Sequence, residues 1–179
     1  MKTTSNNQLT GGLDNMIYEG IDEIIRLCDR DSYEKVASRL ATSDPWITLG
    51  MSFEDCMEAL VGDTKEFYAA MVKGKTAGII VIEMGGAFKG YVQILFVDEA
   101  YRGSGIGSQL LAFAQERVFE ETTNLFLCVS DFNKNAYDFY LKAGFERVGV
   151  LRDYLVKGRS EILLRKSVGP LLTFRRSKV

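Results

Sequence analysis

Six consecutive residues, Arg102-Gly103-Ser104-Gly105-Ile106-Gly107, set a cation before three alternating glycines, just after the apolar run Tyr91 to Val97. Glycine has no Cβ, so its backbone N–H groups can turn inward and approach a ligand closely. Beyond them Ile106, Leu110, Ala114 and Val118 recur every four residues, with Leu111 beside them, as one apolar helical face. The first N–H groups of a helix lack partners, and its dipole places partial positive charge there. A loop of this composition at that point suits phosphate, with Arg102 adding a charge. Two familiar nucleotide patterns fail. The dinucleotide fingerprint needs G-x-G-x-x-G with an acid about twenty residues on, whereas here the spacing is G-x-G-x-G and Asn124-Leu125 stand in the acid's place. The Walker loop needs a lysine after its glycines, and none follows. Taken alone, the segment also reads as a solvated turn that binds nothing.

A second constellation follows: Asn133, Ala136, Tyr140, Gly144 and Phe145 form N-x-x-A-x-x-x-Y-x-x-x-G-F. With the loop, read as R/Q-x-x-G-x-G/A, it resembles the GNAT superfamily of N-acetyltransferases, in the family's order and separation. The resemblance spans roughly residues 65–166 and is loose before 63. It implies acetyl-CoA as cosubstrate, no metal, and acetyl transfer to a primary amine by direct attack in a ternary complex. The acceptor class stays open among protein N-termini, lysines and small-molecule amines. It further implies that the N–H groups of Gly103, Ser104, Gly105, Ile106 and Gly107, with Arg102, grip the pyrophosphate. Phe96 and Val97, at the splayed end of the strand Ile94-Leu95-Phe96-Val97, would hold pantetheine, and Val97 would lend its backbone to the thioester oxygen. Asn133 and Ala136 would contact the pantetheine arm, and Tyr140 would be the general acid.

Each assignment has a plainer alternative. Asn133 stands at a helix start and suits an N-cap. Tyr137, Phe139 and Tyr140 crowd one short helix, so some must simply pack; motif position selects Tyr140. A phenol near pKa 10 can protonate a departing thiolate, whose parent thiol is near 8.5. The base is less defined: many members of the family that the chain resembles carry a glutamate on their fourth strand, which here corresponds to Tyr91 to Val97, and this strand carries Gln93, which takes no proton. Glu83 and Asp98 are the nearest acids in sequence; Glu83 is the candidate, while Asp98-Glu99 reads as a solvated turn. A water relay or an amine arriving neutral would serve equally. An α-amino group near pKa 8 needs less help than a lysine near 10.4. Trp46 and Tyr154 are expected to face the acceptor, Trp46 as aromatic wall or core plug. A second functional reading, a non-catalytic acyl-CoA-binding regulatory module, follows from the missing strand acid; Tyr140 argues against it. A plain nucleotide-binding protein is disfavoured by the glycine spacing.

The positioning elements must come from a chain of 179 residues, enough for one domain with a sizeable core. With 46% hydrophobic and 26% charged residues and a net charge of −2, no electrostatic footprint for nucleic acid or an anionic membrane is present. No apolar run has membrane-span length and no signal-peptide layout opens the chain, so a cytoplasmic protein is expected. The chain has 0 histidines and 3 cysteines, which excludes zinc spacing and any Ser/Cys–His pair. Cys28 and Cys56 are expected on buried helical faces and Cys128 in a strand, all as small hydrophobes.

Residues 1–12 read as a mobile leader, 13–166 as the domain and 167–179 as a tail. Ile21, Ile24, Ile25 and Cys28 suggest a short helix, and Tyr33, Val36, Ala37 and Leu40 another, ending before Asp44-Pro45. Ser52 and Asp55 resemble a capping box. Strands are expected at Phe67 to Val72, Thr76 to Met84, Tyr91 to Val97, Asn124 to Val129, Phe145 to Leu151 and Glu161 to Arg165. A helix fills Asn133 to Ala143, with Gly144 closing it. This order predicts a mixed α/β (α+β) fold, a mostly antiparallel sheet with helices on both faces. The splay of its central strands is implied by the resemblance alone. In the tail, Leu171, Leu172 and Phe174 follow Gly-Pro and must cover something, either their own sheet or, the favoured reading, the partner in a homodimer.

Overall fold

The computed structural model describes residues 20–177; the leader at 1–12 lies outside them. Seven strands form one sheet: β1 (Glu23–Arg26), β2 (Lys65–Val72), β3 (Lys75–Glu83), β4 (Tyr91–Val97), β5 (Asn124–Ser130), β6 (Glu146–Arg152) and β7 (Ser160–Ser167), in spatial order β1-β2-β3-β4-β5-β7-β6. Helices α1 (Arg30–Ala41) and α2 (Phe53–Leu60) cover one face. The other face carries α3 (Ile106–Phe119) and α4 (Lys134–Lys142), and α5 (Leu171–Ser177) ends the described chain. The expected mixed fold is therefore found.

Local chemistry accounts for most of these elements. The Ser52 hydroxyl accepts from the Asp55 N–H while the Asp55 carboxylate accepts from the Ser52 N–H, closing the capping box that starts α2. The face of α3 buries Ile106, Leu110, Leu111, Ala114 and Val118 as its periodicity predicts. Gly78 of β3 lets α3 come close: a Cβ there would stand 2.9 Å from the Phe96 carbonyl oxygen and 3.0 Å from Leu110.

One predicted helix is a strand. Ile24 packs with the α3 side of the sheet and Ile25 with the α1 side, the opposite-face alternation of β structure, and Ile24 pairs with Ala70 of β2. The spacing of Ile21, Ile24 and Ile25 suits either period, and the free edge of β2 decides it. Cys28 falls beyond that strand and is exposed, correcting its expected burial; Cys56 is buried and Cys128 half-buried.

The neighbours β4 and β5 are the parallel pair, and they separate almost at once. Their register runs only through Tyr91↔Phe126 and Val92↔Leu127. On its other side β4 pairs Val92 with Ile82 and Ile94 with Val81, leaving Gln93 as an extra residue in a bulge. A bulge bends its strand and increases local twist. The bend falls where the ladder to β5 stops, and a V-shaped opening results.

Candidate active site

The glycine loop has the conformation its composition suggests. Gly103 and Gly105 have φ of 76° and 86°, in the left-handed region that side chains avoid. Gly105 is the N-cap of α3 and offers no side-chain cap, so the first N–H groups of that helix receive none from it. The Arg102 side chain donates through Nε to the Val97 carbonyl at 3.2 Å, tying the loop to the end of β4. The Ser104 hydroxyl donates to the Tyr101 carbonyl, which braces the turn.

Two cavities meet in the V. The larger, about 830 Å³, runs along the loop and is lined by Phe96, Val97, Arg102, Gly103, Gly105, Ile106 and Gly107, with Asn133, Ala136 and Tyr140 across from them. Of the sequence-derived cofactor residues only Ser104 is outside its lining. The smaller, about 250 Å³, lies between β4 and β5 and shares Trp46, Leu95, Asn133, Ala136 and Tyr140 with the larger. Tyr140 thus stands at the junction.

Tyr140 is packed and poised together. Its ring meets Phe139 and Phe145 edge-on, at centroid distances of 5.2 and 5.8 Å. Burial alone pushes its phenol far above the ordinary range, so it holds its proton at neutral pH. Asn133 caps α4, its Oδ1 accepting from the Ala136 N–H at 3.2 Å, and still lines both cavities. Trp46 packs edge-on against Phe96 at 5.9 Å and lines both cavities. Tyr154, in the loop between β6 and β7, is 58% exposed and lines the smaller cavity.

The acids fall elsewhere than the sequence suggests. Glu83 lines neither cavity; its Oε1 accepts from the Gly85 N–H at 2.7 Å, in the turn after β3. Asp98 pairs with Arg39 at 3.0 Å and caps a short 3-10 turn. The carboxylate that does line the smaller cavity is Glu161 of β7, 4% exposed, with Oε1 accepting from the Ser130 hydroxyl at 2.6 Å. Beside it, Tyr91 of β4 has its hydroxyl against the Cys128 sulfur, and burial raises both groups. Sequence reasoning missed this cluster, because Glu161 reads there as one more residue of a terminal strand.

Residues 22–145 match the acetyltransferase (GNAT) family model. The chain belongs to the GNAT acetyltransferase family. This GNAT domain is 36% identical over 104 residues to N-alpha-acetyltransferase MAK3 of Arabidopsis thaliana, a match covering 55% of the chain and 54% of the plant protein, so it spans about half that relative's length. It is also 30% identical over 110 residues to blasticidin-S acetyltransferase of Streptomyces morookaense, covering 62% of this chain and 80% of that one. Its fold superposes on an aminoglycoside 6'-N-acetyltransferase complexed with coenzyme A with a TM-score of 0.65, at 18% identity and over 83% and 98% of the two chains.

Proposed function

We propose that the protein transfers the acetyl group of acetyl-CoA to a primary amine by direct attack in a ternary complex. The observation that carries this reading is the junction of two cavities at Tyr140, one along a phosphate-suited loop and one opening between splayed strands. The residues fit acetyl-CoA: left-handed glycines, an uncapped helix start and Arg102 suit a pyrophosphate, and the end of β4, unpaired on its β5 side, can run beside a pantetheine arm. Acetyl-CoA supplies an activated thioester. Tyr140 would give its proton to the departing sulfur, and Asn133 and the Val97 backbone would orient the thioester for attack. That the plant and Streptomyces relatives are named as acetyltransferases of different acceptors supports amine acetylation and leaves protein N-termini and small-molecule amines both in scope.

Thiol release from acetyl-CoA across peptides with free N-termini, polyamines and aminoglycosides tests the reading. Turnover with at least one amine class is expected. Tight coenzyme A binding without turnover across the whole panel would favour the acyl-CoA-binding module instead. Among the described residues no helix is long and apolar enough to cross a membrane; a cytoplasmic setting is part of the same proposal. A homodimer through the tail is part of the same proposal: Val168, just before α5, and Leu172, within it, stand 61% and 65% exposed. Light scattering at micromolar concentration should give twice the chain mass, and a monomer would remove that element.

A further inference from the structure

From the smaller cavity we infer that Glu161 receives the ammonium group of the acceptor and takes its proton. The inference rests on the acetyl-transfer reading and names the group that reading leaves open. Among the described residues lining the cavity, Glu161 is the one carboxylate. Its oxygens are unequally satisfied: Oε1 accepts from Ser130, while Oε2 has no donor among the described residues. No lysine or arginine among them pairs with it either. A carboxylate buried with one hydroxyl donor and no cation is costly to ionise. It favours any cation that reaches it, and the cavity it lines opens toward Tyr140 and the thioester position.

The surroundings reinforce this. The titratable groups around it are Tyr91 of β4, Cys128 of β5, Asp131 just after β5 and Tyr154 of the β6–β7 loop. From β6 the residue opposite is Leu151, which carries no charge. Burial first, and then Asp131, raise the proton affinity of Glu161, and the Ser130 hydrogen bond lowers it. A carboxylate so raised is a better proton acceptor than an exposed one, and the aromatic hydroxyls beside it can hold the amine without competing for its proton.

The proton balance closes. Glu161 takes one proton from the ammonium, leaving a neutral amine. The nitrogen lone pair forms a C–N bond at the thioester carbon, the C–S bond breaks, and the sulfur takes the Tyr140 proton. The surplus proton on nitrogen returns to the Tyr140 oxygen, and Glu161 releases its own to solvent. One amide, one thiol and one free proton result.

Coenzyme A conjugates test this without a known acceptor. S-(ω-aminoalkyl)-coenzyme A with two to six carbons carries a primary ammonium from the sulfur into the cavity, and S-alkyl-coenzyme A of equal length is its uncharged control. By calorimetry at pH 7.5, at least one length is expected to bind the wild-type protein about tenfold or more tightly than its control. Glu161→Gln should erase that preference and leave S-alkyl affinity unchanged. The preference should vanish as pH falls through the Glu161 pKa, and at a higher pH in Ser130→Ala, which keeps the carboxylate but loses the donor. That second variant also decides the matter should Glu161→Gln unsettle the sheet. A preference that survives Glu161→Gln, no preference at any length, or an unmoved midpoint in Ser130→Ala overturns the assignment. Failure of the S-alkyl controls to bind the wild-type protein would overturn the cofactor reading, and this assignment with it.

Discussion

The two cavities that meet at Tyr140 are built by different means. Along the larger runs one contiguous loop and the helix it starts, whose backbone N–H groups suit a phosphate, facing residues of β4, α4 and the chain between α1 and α2. The smaller is assembled from residues of β4, β5, β7, α2, α4, the chain between α1 and α2, and the β6–β7 loop. A backbone site needs left-handed glycines at fixed spacing, which a short segment can specify alone. A side-chain site needs residues brought together from distant segments, and no segment announces its partners. The first should therefore be sensitive to conformation, the second to chemistry.

The largest effect should come at the junction. Tyr140→Phe keeps the ring against Phe139 and Phe145 and removes the proton, so kcat should fall about 10²-fold, the low end for a general acid. Coenzyme A affinity should barely change. A variant turning over at the wild-type rate, with chemistry shown to limit it, would sink the role.

Next is a test of whether the loop is as local as it looks. A Cβ at Gly78 would press on the Phe96 carbonyl, a backbone atom that yields poorly, and on Leu110. Gly78→Ala should destabilise the fold by about 1–3 kcal/mol, read by urea denaturation. It should also weaken coenzyme A binding by displacing α3. Unaltered affinity would show the loop to be independent of its seat.

Gly105→Val probes conformation directly. Space is ample there, since a Cβ would meet only Gln109 at 3.7 Å, but φ of 86° strains a β-branched residue. The apparent KM for acetyl-CoA should rise at least about tenfold, roughly 1.4 kcal/mol. Unchanged coenzyme A affinity by calorimetry would remove the phosphate-loop assignment.

The smallest effect concerns stability on the side-chain side. Glu161 has its proton affinity raised in the fold, so folding favours its protonated form. Its ionisation costs stability as pH rises from the unfolded carboxylate pKa through the folded one. Glu161→Gln lacks that cost, so its Tm should exceed that of the wild type at pH 7.5 and the gain should shrink at pH 4. An equal shift at both pH values would mean that the carboxylate carries no burial penalty.

The same division explains what was legible beforehand. The strand Tyr91 to Val97, the α2 capping box, the apolar face of α3 and the Asn133 to Phe145 run follow from local patterns, and all are found. The strand at Glu23–Arg26 reads as a helix in sequence, because four residues carry too little periodicity to separate the two, and its partner lies some forty residues on. Gln93 marks the missing acid in sequence, but its bulge depends on how β3 pairs beside it.

By itself, then, the chain determines a mixed α/β fold of the GNAT family, the loop suited to a pyrophosphate and the tyrosine beside it, because these reside in backbone conformation and short-range spacing. Tertiary structure alone decides that β4 leaves β5 after two residue pairs, and that Glu83 turns to the Gly85 N–H. It alone brings Glu161 beside Ser130, a residue 31 positions away. The physical reason is range: helix capping, turn geometry and backbone sterics act between neighbours in sequence, whereas burial of a charge depends on every segment that excludes water from it.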